Sequence, residues 1–334
     1  MASGNPTTAA KRFLVTLVAA ALGVIAAAAP VATGVEELAA PALTTPTTVS
    51  DAVPDARDTT PASAEACADG GVAATDESAA AAEAAPITPV AAIAPLVTPE
   101  AALAAAATAT GLPSSEIAVA VVDLATGTEV TWGTADPQVT ASIVKVDILM
   151  TLLLQRQDEG ATLTATQREL AIEMITESDN DAATALWNEI GQGDGLAEAN
   201  ARFGLTSTVP GDGGYWGLTE TTPTDQVRLL AALASTNGVL SDQSRDYVLS
   251  LMSSVDPDQA WGVSAAGTAA LKNGWLDRPD GTWAINSIGI VTTTAGNELL
   301  VAVQSHGWST MEAGVAAVQE LAAAAVATVS TGSL

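Results

Sequence analysis

The chain has 334 residues, enough for one or two ordinary domains, and carries 11 Lys plus Arg against 38 Asp plus Glu, a formal charge of −27. That balance excludes a surface built to grip a nucleic-acid backbone. A single Cys (Cys67) and a single His (His306) exclude an internal disulfide framework, a cysteine zinc cage and a multi-histidine metal site, and no metal or other cofactor is expected.

Lys11 and Arg12 precede Phe13 and an alanine-rich apolar run ending near Ala29-Pro30, with small residues at Ala27 and Ala29. Residues 1–32 therefore read as a cleavable signal peptide, or as a retained anchor, because a run of about 17 apolar residues reaches the short limit of a membrane span. Either reading predicts a secreted or envelope-associated protein, and the second adds a membrane tether. Cys67 lies too far beyond the run to be its lipid-modified cysteine. Residues 33–98 repeat Thr-Pro and Ala-Pro and contain no Lys and no aromatic residue. Such a segment cannot bury enough apolar surface to offset its chain entropy, and it is expected to be a disordered linker.

The body spans residues 99–330. Pro99-Glu100 opens a helix that ends near Gly111, and Ile117–Asp123 and Glu129–Trp132 form a hairpin about Thr126-Gly127. Ser142 starts a helix whose residues from Ile143 to Leu154 are apolar on nearly every side, with Lys145 and Asp147 as the exceptions; such a helix is buried. Further helices are predicted over 167–176, 181–190, 195–203, 224–234 and 241–253. Thr166 and Glu169 are read as a capping box for the first of these, and Gly191–Gly195 as a loop between helices. Strands return at 269–275, 283–291 and 299–304, separated by turns at Asp277–Gly281 and Ala295–Asn297. A last helix carries Met311, Val315, Val318, Ala322 and Val326 on one face. The order predicts a mixed α/β (α+β) fold: an antiparallel sheet flanked by helices and built from both chain ends, with an all-helical subdomain inserted.

Three short signals fall in this body: Ser142-Ile-Val-Lys145, Ser178-Asp179-Asn180 and Lys272-Asn273-Gly274. The chain has only three lysines, Lys11, Lys145 and Lys272, so both lysines beyond the N-terminal segment stand in these signals. Ser142 and Lys145 are spaced to share one helix face. A serine hydroxyl is a weak nucleophile until a base takes its proton, and a lysine can be that base only if burial and cationic neighbours depress its pKa.

Together with Arg168-Glu-Leu, the stretch Met174–Ala183, Thr221-Thr-Pro223 and Ser309-Thr-Met-Glu312, these signals resemble the penicillin-recognising serine hydrolases, and within them the class A β-lactamases, in divergent form over about residues 99–330. The resemblance implies an acyl-enzyme mechanism. Ser142 would be the nucleophile, Lys145 its base, and Ser178 a proton relay to the leaving nitrogen. Asn180 would hold Lys145 and a substrate amide. Lys272, with Asn273 and Gly274, would receive a substrate carboxylate, and the N–H groups of Ser142 and Trp275 would form the oxyanion hole. The implied partner is a small β-lactam or a peptidoglycan-type peptide, and the protein is read as a monomer. A D-alanyl-peptide hydrolase and a catalytically silent envelope-binding module are the alternatives.

Three departures qualify the resemblance. Ser142 and Ser178 are only 36 residues apart, which implies a more open cleft than the family's. Asn273 stands where the family has Thr or Ser. No Glu-x-x-x-Asn precedes Thr221, so the carboxylate that activates the deacylating water is not found; Asp212 is the nearest loop carboxylate, and Glu220 is read as a cap of the next helix. A long-lived ester is expected. His306 follows a strand with no nucleophile elbow in the chain, and is read as a rim residue.

Overall fold

The computed structural model describes residues 97–212 and 214–331, all within one compact unit that spans Ile87–Leu334. The predicted signal or anchor, Cys67 and nearly all of the predicted linker lie outside the described residues. Strand β1 (Ile117–Asp123) follows α1 (Pro99–Ala109) and is almost wholly buried. Its run of Ile, Val and Ala is the pattern of a strand covered on both faces. β1 pairs antiparallel with β2 (Glu129–Gly133) on one side and with β7 (Glu298–Trp308) on the other. β7 then pairs with β6 (Trp283–Thr292), and β6 with β5 (Thr268–Asp277), again antiparallel. The five-stranded order β2-β1-β7-β6-β5 is thus assembled from both ends of the body, as its element order predicts.

One face of the sheet packs on α1 and on α8 (Met311–Thr331), whose Val318, Leu321, Ala325 and Val329 meet Val119, Val301 and Val303. The other face meets the inserted helices. At their centre is α2 (Val144–Asp158), buried without interruption from Val144 to Leu154. Around it pack α3 (Ala165–Ile172), α4 (Asn180–Glu189), α5 (Gln192–Phe203), α6 (Pro223–Ala234) and α7 (Asp242–Met252). A two-stranded ribbon of β3 (Gln138–Val139) and β4 (Glu220–Thr221) ties the chain before α2 to the chain before α6.

Local chemistry moves several boundaries. The capping box of α3 is Thr164 with Gln167, not Thr166 with Glu169: Thr164 Oγ1 accepts from Gln167 N at 3.2 Å and Gln167 Oε1 accepts from Thr164 N at 2.7 Å. Gly191–Gly195 is not a free loop, because α5 already starts at Gln192. A Cβ on Gly195 would lie 1.7 Å from Ile190 O, so only glycine lets α5 begin this close to the end of α4. Glu220 does not cap α6; it pairs in the ribbon, and Thr222 accepts from Asp225 N instead. Ser142 lies in a single 3₁₀ turn, Ala141–Ile143, and the α-helix proper starts two residues later.

Candidate active site

The turn that carries Ser142 is held against the sheet by two contacts. Asn286, fully buried in the middle of β6, donates from Nδ2 to Val139 O at 2.8 Å and to Thr140 O at 2.9 Å. Its Oδ1 accepts from Ser305 N at 3.1 Å, so the amide ties three chain segments together. Gly274, opposite Asn286 in the β5–β6 register, backs directly onto the turn: a Cβ there would lie 2.7 Å from both Ser142 N and Thr140 O. The preceding residue, Ala141, has φ +47°, an uncommon backbone for a residue with a Cβ.

α3 does not run to Thr176 as a regular helix. Residues Glu173–Glu177 widen into a π-helical turn, and Ser178 ends it with a left-handed backbone, φ +58°. Such widened turns and left-handed non-glycine residues gather at functional sites. Asp179 then caps α4, accepting from Ala182 N at 2.7 Å. The result turns Ser178 and Asn180 toward α2.

Lys145, with no exposed surface, donates from Nζ to Ser178 O at 2.6 Å, Asn180 Oδ1 at 2.8 Å and Ser178 Oγ at 3.1 Å. Lys272, 1% exposed, donates from Nζ to the same Ser178 Oγ at 2.8 Å and to Asn273 O at 3.0 Å. Neither amine is in a salt bridge among the described residues. Burial depresses the Lys145 ammonium to a pKa of about 7, against a smaller upward pull from Asp179. Burial, with the neighbouring Lys145 charge, pushes Lys272 well below the usual lysine range. Two amines that share one hydroxyl in a dry site cannot both keep a proton cheaply, and that is the condition under which one of them becomes a base near neutral pH.

Above this layer opens a cleft of about 340 Å³. Ser142 and Asn180 line it with polar groups, and Tyr215, Trp216, Leu218, Trp275 and Leu276 with larger side chains. Ser142 Oγ has no hydrogen bond among the described residues, which leaves the hydroxyl free in the cleft. Asn273 faces away: buried, it donates from Nδ2 to Gln259 O at 2.6 Å and to Trp261 O at 3.0 Å, and fastens the 257–263 segment to β5. Asp212 is exposed and lines a separate depression with Gly191, Asp194 and Pro210, so it does not border the cleft. His306 engages Gln138 Oε1 through Nδ1 at 3.0 Å and takes no part in the amine cluster.

Two residues of the site escape the sequence reading. Asn286 has a signal, an amide in the middle of an otherwise apolar strand. Trp216 places its ring over Lys145 Nζ, 4.9 Å from centroid to nitrogen, and its only signal is a tryptophan in a glycine-rich loop.

The fold is that of the β-lactamase type. The family profile described as "Beta-lactamase enzyme family" matches residues 154–329, and the chain belongs to that family. The match starts inside α2, beyond Ser142 and Lys145, and covers Ser178, Asn180 and Lys272. Among curated proteins, "Putative lipoprotein LppW" of Mycobacterium tuberculosis is 28% identical over 184 residues, 52% of this chain and 59% of the relative, so the chain spans about three fifths of the length of the relatives it matches. Among solved structures, a class A β-lactamase from Bacteroides cellulosilyticus is similar at a TM-score of 0.61 and 17% identity, covering 70% of this chain and 99% of that one. PBP-A is similar at a TM-score of 0.59 and 18% identity, covering 70% and 96%.

Proposed function

We propose that the protein is an exported serine acyl hydrolase that forms an ester on Ser142 with a β-lactam or a related peptide amide. The observation that carries this reading is the chain of hydrogen bonds Lys145–Ser178–Lys272 beneath a free serine hydroxyl in a cleft. In the first step the Ser142 Oγ proton passes to the neutral Lys145 amine while Oγ bonds to the substrate carbonyl carbon. General-base assistance of this kind contributes about 10²–10⁴-fold. The carbonyl oxygen becomes an oxyanion held by the N–H groups of Ser142 and Trp275, each worth about 2.7–4 kcal/mol of barrier. As the carbon–nitrogen bond breaks, the leaving nitrogen takes the Ser178 Oγ proton, and an adjacent ammonium restores it. Lys272, buried without a carboxylate partner, attracts an anionic group of the substrate through the Ser178 end of the site. The N-terminal apolar segment, and the lipoprotein name of the mycobacterial relative, support an envelope or extracellular location.

A slow acyl-enzyme is favoured over a rapid β-lactamase by one observation: no carboxylate lines the cleft among the described residues. A fluorescent penicillin tests both statements. Covalent labelling that Ser142→Ala abolishes supports the acyl-enzyme; retention of label for hours supports the slow, peptidase-like form, and release within seconds the β-lactamase. No labelling across penicillins and cephalosporins would favour a silent envelope-binding module.

A further inference from the structure

We propose that Trp216 is the positioning residue that keeps water from Lys145 and so sets the lifetime of the Ser142 ester. This rests on the acyl-enzyme reading above. The indole is locked in place: its N–H donates to Thr184 Oγ1 at 3.1 Å, and Thr184 Oγ1 donates in turn to Asn180 O at 2.9 Å. Three oxygens and this ring surround Lys145 Nζ, and the amine has no exposed surface. The same ring lines the cleft beside Ser142.

Hydrolysis of the ester needs a water that reaches two places at once. Its oxygen must bond to the acyl carbon while its proton passes to a neutral amine. The carbon–Oγ bond then breaks and Oγ recovers a proton from that ammonium, so one water is consumed, the acid is released, and Ser142 and neutral Lys145 are restored. With the indole in place, a water in the cleft meets aromatic carbon where the amine should be. The charged groups that face Lys145 are Lys272 on β5 and Asp179 at the start of α4. The 210–218 loop contributes the uncharged ring, since Asp212 turns to another depression.

The test uses the whole protein, labelled with ¹³Cε-lysine and acylated with a fluorescent penicillin. Its three lysines make the Lys145 resonance assignable by substitution of the others. Trp216→Ala should release the label at least about tenfold faster than the parent, with the gain growing as pH rises through the Lys145 titration. Its Lys145 midpoint should rise by about one unit, because relief of burial outweighs the lost cation–π attraction. Trp216→Phe, which keeps a ring over the amine, should stay closer to the parent, and Thr184→Val, which frees the indole, should fall between. If Trp216→Ala does not fold by thermal melting, those two variants decide alone. A folded Trp216→Ala, or Thr184→Val in its place, with unchanged label lifetime and Lys145 midpoint would overturn the inference and leave the acyl-enzyme standing. A parent protein that takes no label at Ser142 would overturn both.

Discussion

Lys145 and Lys272 converge on one oxygen: both amines donate to Ser178 Oγ, at 3.1 and 2.8 Å. Burial disfavours the charge on both amines, and the Lys145 charge adds to the cost at Lys272. Lys145, held to about 7, should lose its proton near neutrality and become able to accept one from Ser142. The rate of penicillin labelling should therefore climb through about pH 7 and level off above it. The linked stability effect has the same sign. Between the folded value and the ordinary lysine value the unfolded chain binds the extra proton, so stability from this group grows as pH rises through that window. Labelling kinetics across the range give the profile, and a flat one would remove Lys145 as the base.

Gly274 is a second point of control. Its Cα abuts the Ser142 turn, and Gly274→Ala would force a methyl to within 2.7 Å of Ser142 N. Overpacking of this kind costs about 1–3 kcal/mol. The variant should fold with that loss and acylate at least about tenfold more slowly, because the nucleophile and its N–H both shift. Urea denaturation and labelling rate measure the two effects; a drop in stability with unchanged labelling would show that the turn adjusts freely.

Asn286 fixes the same turn from β6. Asn286→Ala leaves Val139 O and Ser305 N without their amide partner, and Thr140 O with only the long 3.4 Å bond from Ile143 N. Each unmet buried group costs about 1–3 kcal/mol, so the total loss should exceed that of a typical substitution. Thermal melting checks it, and a near-neutral result would mean the turn is held by packing alone.

Asp147 is a buried acid that the proposed chemistry does not use. Neither carboxyl oxygen has a hydrogen-bond partner of good geometry among the described residues. Burial raises its pKa to about 7; the nearby Asn200 amide opposes the rise, and the Asp225 charge adds to it. A raised acid keeps its proton in the folded state after the unfolded chain has lost it, so stability falls as pH climbs from the ordinary carboxyl value to about 7. Asp147→Asn should remove that slope and stabilise the protein by about 1–3 kcal/mol above neutrality, with less effect in mild acid. Equal effects at both ends of the range would contradict the assignment.

The sequence shows the site best where chemistry limits the choice of residue. In a chain that uses arginine for ordinary surface charge, two body lysines stand in motif positions, and folding brings both to Ser178. Element order alone predicts the sheet, because β1 and β7 lie at opposite ends of the body yet pair over Ile117–Asp123. What escapes the sequence is set by tertiary contact. Nothing local requires Asn273 to bond Gln259 and Trp261 rather than face the cleft, and nothing local puts the Trp216 ring over an amine 71 residues earlier. The π-helical turn before Ser178 is equally silent, since its residues suit a regular helix.

Acylation of Ser142 underlies every step of the proposed chemistry. Intact-mass measurement of the whole protein after incubation with a penicillin, followed by peptide mapping, tests it directly. An adduct carrying the full mass of the ring-opened penicillin is expected on the peptide that contains Ser142, and none in Ser142→Ala. An unmodified protein, or an adduct that persists in Ser142→Ala, would contradict it.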